Sequence, residues 1–346
     1  EYKDHEATKR TEMISRNAQW FEDHSPVDER FKKPKVKGVS AKVICAAMLA
    51  GDEYPTTAIG INLPNADWIR ARYGSKSVTI SNITQSYNRA AQGNGFLEEF
   101  VIDKPTLATI RRWESVTDEL HTDPQECLGH GSGQLLPGTD PNALKAYGST
   151  IEEARADLFG LYYMADHKLI ELGLLDSEHA YEAQYYTYLM NGLMTQLVRI
   201  RPGFKIEEAH MLNRSLIAHW AVEMNPDALQ LIETGGKHYV KINDYKALRV
   251  VFGRQLAEIQ RIKSEGDYEA ARNLIEHFAV KVDPQLHQEI LQRYARLNIA
   301  PYKGFINPKL TLVEKDGKTV DVKVDYSEGY DEQMLRYSRD YSTLPV

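Results

Sequence analysis

Gln125-Glu126-Cys127-Leu128-Gly129-His130-Gly131-Ser132-Gly133 is the stretch on which the reading of this chain turns, together with Glu152-Glu153-Ala154-Arg155-Ala156-Asp157 downstream. Glu126 and His130 are four positions apart, so a helix presents them on one face. The second stretch opens with two adjacent carboxylates at the start of another expected helix. His, Glu and Asp converging from two helices build an open zinc site, in which three side chains and a water surround the ion. A carboxylate beside that water acts as general base while the metal polarises a carbonyl.

The familiar zinc-hydrolase signature H-E-x-x-H sets both histidines on one helical face. Here Gln125 and His130 bracket a frame one residue longer, and on an ideal helix they stand roughly 140° apart. Aiming both at one point requires an extra residue in the helix, most simply a π-type bulge, a feature that favours functional sites. Gly131-Ser132-Gly133 then ends the helix, as glycine at a C-terminus does. Pro124 disfavours a helix running unbroken into the motif. The expectation is a fresh start, with Asp123 as N-cap and Pro124 at the first position. Ser149, with Glu152 three residues on, reads as a capping box that opens the second helix.

The bulk numbers narrow the class. The chain has 346 residues, enough for one large core or two domains. A net charge of −7 argues against a nucleic-acid surface. No run approaches the ~20 apolar residues that span a bilayer, and the charged opening Glu1-Tyr2-Lys3-Asp4-His5 is no secretory signal. Neither nucleic acid nor a membrane is expected as a partner. Only two cysteines occur, Cys45 and Cys127, so no disulfide framework is expected. The cytoplasm is the expected compartment.

Most of the chain reads as helix. Residues 1–23 carry Ile14, Trp20 and Phe21 among charges, an exposed helix by pattern. The Lys-rich run from Phe31 to Lys37 reads as a solvated connector. Val39 to Leu49 reads as a short buried segment, and Thr56 to Leu63 as a strand ended by Pro64. Helices are expected over Ile80–Ala91, Thr106–Leu120, Ser177–Arg199, Ile206–Glu223, Asp244–Ser264, Asp267–Phe278 and Pro284–Leu297. Near the end, Leu310–Glu314 and Thr319–Asp325 flank Asp316-Gly317, a hairpin signal. Val320, Val322 and Val324 alternate with Asp321 and Lys323, so one face of that hairpin is expected to be buried. The fold class is α+β, predominantly α-helical, with a small β portion. The expected organisation is a connector with part of the β portion over 1–65, a helical catalytic domain over 66–298, and a C-terminal hairpin and helix over 299–346.

The motif frame followed by E-E-x-R-A-D resembles the dipeptidyl peptidase III family, zinc metallopeptidases with a stretched H-E-x-x-G-H motif. The resemblance extends to Ile61-Asn62-Leu63-Pro64-Asn65, Glu208-Ala209-His210-Met211 with Arg214, and Ala300-Pro301-Tyr302-Lys303-Gly304-Phe305. It covers essentially the whole chain. Family members are longer, so the chain reads as the catalytic part without an N-terminal region. The resemblance implies removal of dipeptides from the N-termini of short peptides by one zinc ion. It places that ion on His130, Glu153 and position 125, with Glu126 as general base. Glu152 and Asp157 would orient the ligands from behind. His210 would stabilise the oxyanion of the tetrahedral intermediate, and Arg214, Asn62 and Asn65 would bind substrate.

One departure matters more than any match: the family's first ligand is a His, and this chain has Gln125. An amide oxygen is neutral and a weaker zinc ligand than imidazole. Glu126 or His121 are conceivable substitutes. Other readings stand beside the functional ones: turn chemistry for Asn62 and Asn65, a helix cap for Glu152, a structural ion pair for Arg155. Two functions follow, an impaired zinc exopeptidase or a peptide-binding homologue that has lost its chemistry.

Overall fold

Asp103 accepts a hydrogen bond from Thr106 N at 2.8 Å, and Pro105 occupies the first turn behind it. A capped start with proline at its entry launches the helix that carries the motif. The computed structural model describes residues 2–36, 40–47, 60–63, 69, 72–73, 76–300 and 307–341. In chain order the described elements are β1 (Tyr2–Lys3), α1 (His5–Arg16), α2 (Ala18–Asp23), β2 (Ser40–Cys45), β3 (Gly60–Leu63), β4 (Lys76–Ile80), α3 (Ser81–Ala91), α4 (Phe96–Phe100) and α5 (Lys104–Pro124). A π-helical turn, Gln125–Gly129, continues α5. There follow α6 (Gly148–Met164), α7 (Lys168–Glu171), α8 (Tyr181–Leu193), α9 (Ala209–Met224), β5 (Leu229–Thr234), β6 (Lys237–Ile242), α10 (Tyr245–Glu265), α11 (Tyr268–Leu274), α12 (Pro284–Leu297), β7 (Lys309–Lys315), β8 (Lys318–Asp325) and α13 (Tyr330–Tyr341). The α+β class with a predominant helical body is as expected.

The body is built from α5, α6, α8, α9 and α10 packed on one another. Helix α6 is buried nearly all round, from Ile151 through Leu161 to Met164, as a helix surrounded by others is. Tyrosines fill much of this core because each hydroxyl finds a carbonyl. Tyr163 donates to Phe21 O at 2.5 Å, Tyr185 to Leu161 O at 2.9 Å and Tyr186 to Val240 O at 2.9 Å. Such bonds remove the penalty of burying a phenol. A four-stranded sheet in the order β1-β2-β4-β3 stands beside the body. β2 runs parallel to β4, and β3 is antiparallel to β4 with Ile61 opposite Val78.

Four local expectations are corrected. The first 23 residues do not form an exposed helix: Ile14 and Phe21 are fully buried beneath α1 and α2. The Lys-rich connector is anchored, with Phe31 and Lys32 buried and Lys33 Nζ bonded to Gly131 O. The C-terminal hairpin forms with the expected pairing, Leu310 opposite Val324 and Leu312 opposite Val322. Its apolar face is nonetheless open, with Leu312 and Val320 each 60% exposed. Alternation shows that a strand has an apolar side, and only a second layer buries it. The β5–β6 hairpin was not anticipated. Its turn, Gly235-Gly236, carries two positive φ angles, a signal that two-residue glycine turns between strands supply. Both cysteines are buried and free.

Candidate active site

Helix α5 does not restart at Pro124. That residue sits inside the helix with φ −61° and ψ −37°, values its ring favours, so it joins a helix as readily as it begins one. Asp123 is no N-cap, because its carboxylate accepts from Arg10 Nε at 2.7 Å. Proline has no N–H to give, and past it the ladder widens: His130 N donates to Gln125 O at 3.1 Å, five residues back. This is the π turn that the stretched motif required. It carries Gln125, Glu126 and His130 to the wall of one cleft.

Close approach to α6 then sets the partners. Gly129 rests against that helix so tightly that a Cβ there would lie 2.8 Å from Ala156 Cα. His130, next in line, meets both carboxylates at the start of α6. Its Nδ1 bonds Glu152 Oε1 at 2.9 Å, and its Nε2 faces Glu153 Oε2 across 3.9 Å. Burial alone would lower the His130 pKa, but the Glu152 bond and the charges of Glu152, Glu153 and Glu126 outweigh it and raise it. Glu152 is not a helix cap, and Ser149 is not the N-cap. The helix already begins at Gly148 with no side-chain cap, and the Glu152 carboxylate serves His130, Arg155 and Lys263 instead. Arg155 binds both its oxygens, at 3.0 and 2.7 Å, and Lys263 of α10 binds Oε2. Burial would raise the Glu152 pKa, yet Arg155, Lys263 and His130 hold it well below the usual carboxylate range. Arg155 is the structural ion pair expected, fully buried rather than at the surface.

Glu153 is in a different state. Its Oε2 is buried and accepts no hydrogen bond, and its pKa is raised by burial despite the nearby His130 and His210. His210 Nδ1 lies 3.4 Å from that oxygen, half exposed on the first turn of α9, where Glu208 caps the helix. Arg214, one turn on, lines the same cleft. Glu126 reaches the far wall: a Cβ on Gly60 of β3 would lie 3.3 Å from its Oε1. Asp157 takes Tyr188 OH at 2.7 Å, Asn213 Nδ2 at 2.9 Å and His121 Nε2 at 3.3 Å. Burial opposes its ionisation, but these bonds and the Arg214 charge hold its pKa well below ordinary. His121 is thereby committed to Asp157. Asn62 belongs to β3 by its backbone, paired with Ser77, while its side chain and all of Asn65 lie outside the described residues, as do residues 301–306.

Two of the expected ligands, His130 and Glu153, face each other over a gap, and the buried Glu153 oxygen lacks the partner that a cation would provide. That pair fits a divalent cation. Gln125, a neutral amide, lines the same cleft. Among the described residues, no three His, Cys, Asp or Glu side chains are already gathered to hold a metal ion.

The cleft has a volume of about 770 Å³, and a second cavity of about 690 Å³ adjoins it. Asn88, Glu114, Thr187, Asn191 and Arg199 line both. Sequence reading missed this extension. Glu114 lies on the same face of α5 as Asp118 and His121, which line the first cleft, so helical spacing led from the motif to the shared wall. Glu114 is pushed up to about 6 by burial and by the Asp118 charge, from an ordinary 4.5. Between those values the folded chain holds the proton more tightly than the unfolded one, so ionised Glu114 costs stability at higher pH and nothing below 4.5. Glu114→Gln is expected to stabilise the fold near neutral pH by about 1 kcal/mol, allowing for partial exposure. In thermal melts the gain should vanish at about pH 4. A gain that is equal at both pH values contradicts this.

Known proteins resemble the chain over most of its length. The profile of peptidase family M49 matches residues 2–145 and 139–334. Human dipeptidyl peptidase 3 is 24% identical over 377 aligned positions, which take in 96% of this chain and 48% of the human protein. An Arabidopsis thaliana protein named Nudix hydrolase 3 is 26% identical over 290 positions, 82% of this chain and 35% of its own length. Two solved structures share the fold. DPP III from Caldithrix abyssi superposes with a TM-score of 0.68 at 24% identity, over 84% of this chain and 53% of that one. Dipeptidyl-peptidase III from Corallococcus sp. strain EGB gives 0.69 at 22%, over 86% and 52%. The chain thus spans about half the length of the curated relatives it matches. Among the described residues, no helix is long and apolar enough to cross a membrane.

Proposed function

This chain belongs to peptidase family M49, and from that premise we propose that it carries the zinc-dependent centre of an exopeptidase that releases dipeptides from the N-termini of short peptides, its hold on the metal weakened by Gln125. The observation that carries the reading is His130, fixed through Nδ1 by Glu152, with Nε2 turned to a buried Glu153 oxygen that accepts no hydrogen bond. His130 and Glu153 would hold the ion, with the Gln125 amide oxygen as a weak third donor. Zinc there would act as a Lewis acid on the scissile carbonyl and acidify a water.

The remaining roles fall to the chain's own groups. Glu126, facing into the cleft, would take the proton from the attacking water and pass it to the departing amine. His210, half exposed beside Glu153, would donate a hydrogen bond to the carbonyl oxygen as negative charge develops there. Arg214 would orient a substrate carbonyl or carboxylate. Gly60 of strand β3 lines one wall, and a peptide would lie extended beside it, with Asn62 and Asn65 limiting how much of its N-terminus fits. The two buried, unpaired cysteines support a reducing compartment, the cytoplasm.

A second reading, a peptide-binding homologue without turnover, is favoured by Gln125 itself. Zinc stoichiometry separates the two, measured on the wild-type chain, Gln125→Ala and Gln125→His, each with a dipeptidyl-arylamide assay. The expectation is substoichiometric zinc and little activity in the wild type, with Gln125→His raising zinc affinity at least about tenfold. Near-full zinc that drops in Gln125→Ala would make the Gln a true ligand. Full zinc in all three would move the third ligand elsewhere. If Gln125→His binds none, the metallopeptidase reading fails and peptide binding alone becomes the account.

A further inference from the structure

We propose that the second cavity receives the C-terminal end of a short peptide lying in the cleft, and that Arg199 binds its terminal carboxylate. The inference rests on the peptide-cleft reading above and deepens it. The two cavities are continuous in their lining, sharing Asn88, Glu114, Thr187, Asn191 and Arg199, so a chain that passes the metal-motif residues has a path onward. Arg199 closes the short 3₁₀ turn Thr195–Arg199 after α8 and is exposed to both cavities. Among the described residues its side chain makes neither an ion pair nor a hydrogen bond. Exposed arginines without partners are common on surfaces, but this one stands where two cavities meet.

A second observation points the same way. Asn191 Oδ1, on the shared wall, is buried and has no hydrogen-bond partner. A buried acceptor left unpaired carries a desolvation penalty, which a peptide N–H would relieve. An amide oxygen for a backbone N–H and a guanidinium for a carboxylate are the two groups that recognise a peptide terminus without regard to its side chains. Glu114, also on that wall, repels a carboxylate close to it, so the terminal carboxylate is placed at Arg199, the cation among the five shared residues. The lining beyond, with Phe96, Leu97, Val198 and Tyr294, suits apolar side chains near the terminus. Arg199 is thus a determinant of substrate length, favouring peptides whose terminus reaches it.

The test is calorimetric titration of alanine tri- to hexapeptides, each as free acid and as C-terminal amide, into the wild-type chain, Arg199→Met and Arg201→Met, the last an exposed arginine that lines neither cavity. Charge-assisted bonds of this kind change affinity by roughly tenfold or more. At the length that reaches Arg199, the free acid should bind about tenfold tighter than the amide in the wild type. Arg199→Met should bring that ratio to about one, while Arg201→Met keeps it. A ratio that survives Arg199→Met, or that Arg201→Met abolishes as well, overturns the assignment. Equal binding of acid and amide by the wild type overturns it while leaving the peptide cleft intact. No binding of any peptide overturns the cleft reading and the inference with it.

Discussion

Gly129→Ala is expected to cost the folded chain about 3 kcal/mol and to disorganise His130. The methyl group would lie 2.8 Å from Ala156 Cα, 2.9 Å from Ala156 O and 3.0 Å from Ala156 Cβ. None of these atoms is the end of a flexible side chain, so the π turn and α6 must move apart as bodies. Overpacking usually costs about 1–3 kcal/mol, and a clash against backbone belongs at the upper end. Alanine's higher helix propensity returns no more than about 1 kcal/mol. The same separation would lengthen the His130 bond to Glu152, since Gly129 is the neighbour that sets it. Urea unfolding gives the stability, and the His130 ring resonances report its environment. Gly148→Ala is the control, because its Cβ would meet only Leu144 Cβ at an ordinary 3.7 Å. A loss below about 1 kcal/mol for Gly129→Ala, or equal losses for both variants, would refute the close-approach argument.

Removing the Arg155 guanidinium should be as damaging by a different route. Arg155 is fully buried, binds both Glu152 oxygens, and also donates to Ser132 O at 3.1 Å and Ser132 Oγ at 2.6 Å. It therefore ties the end of the motif to the carboxylate that orients His130. Arg155→Met keeps much of the volume but leaves a buried carboxylate with fewer positive partners, a change that typically costs about 3–5 kcal/mol. Lys263 still binds Glu152, so the lower end, about 3 kcal/mol, is expected. Metal affinity should fall by roughly 10–100-fold as well, the usual effect of losing a group that holds a ligand's partner. Chemical unfolding and a zinc competition assay, run side by side, read the two consequences. Arg155→Lys should recover part of the stability and less of the zinc affinity, since one ammonium cannot bridge Glu152 and Ser132 together. If Arg155→Met unfolds at the wild-type urea concentration, the buried-pair account is wrong.

What could be read along one element was read well. The one-residue surplus between Gln125 and His130 demanded a wider turn, and the backbone makes that turn because residue spacing on a helix is fixed by geometry. Asp316-Gly317 marked a hairpin because the turn needs positive φ at both central positions, and Asp316 and Gly317 adopt it. Errors arose where a residue had two competing partners. Ser149 and Glu152 match a capping box, yet Glu152 is drawn away by His130, Arg155 and Lys263, two of which come from other elements. Asp123 has the chemistry of an N-cap, yet Arg10 of α1 claims its carboxylate.

By itself, then, the sequence determined the helical class, the widened turn and the identity of the chemically able residues, because all three depend on local spacing and residue type. Tertiary structure alone decided which acceptor each histidine takes: Glu152 for His130, Asp157 for His121. It decided equally that the Leu312 and Val320 face of the last hairpin stands open and that a second cavity extends the cleft past Arg199. Those outcomes rest on which elements meet at a few ångströms, and hydrogen bonds and apolar contacts are satisfied only at that range. Periodicity along a chain says which side of an element is able to bind, and packing says what it binds.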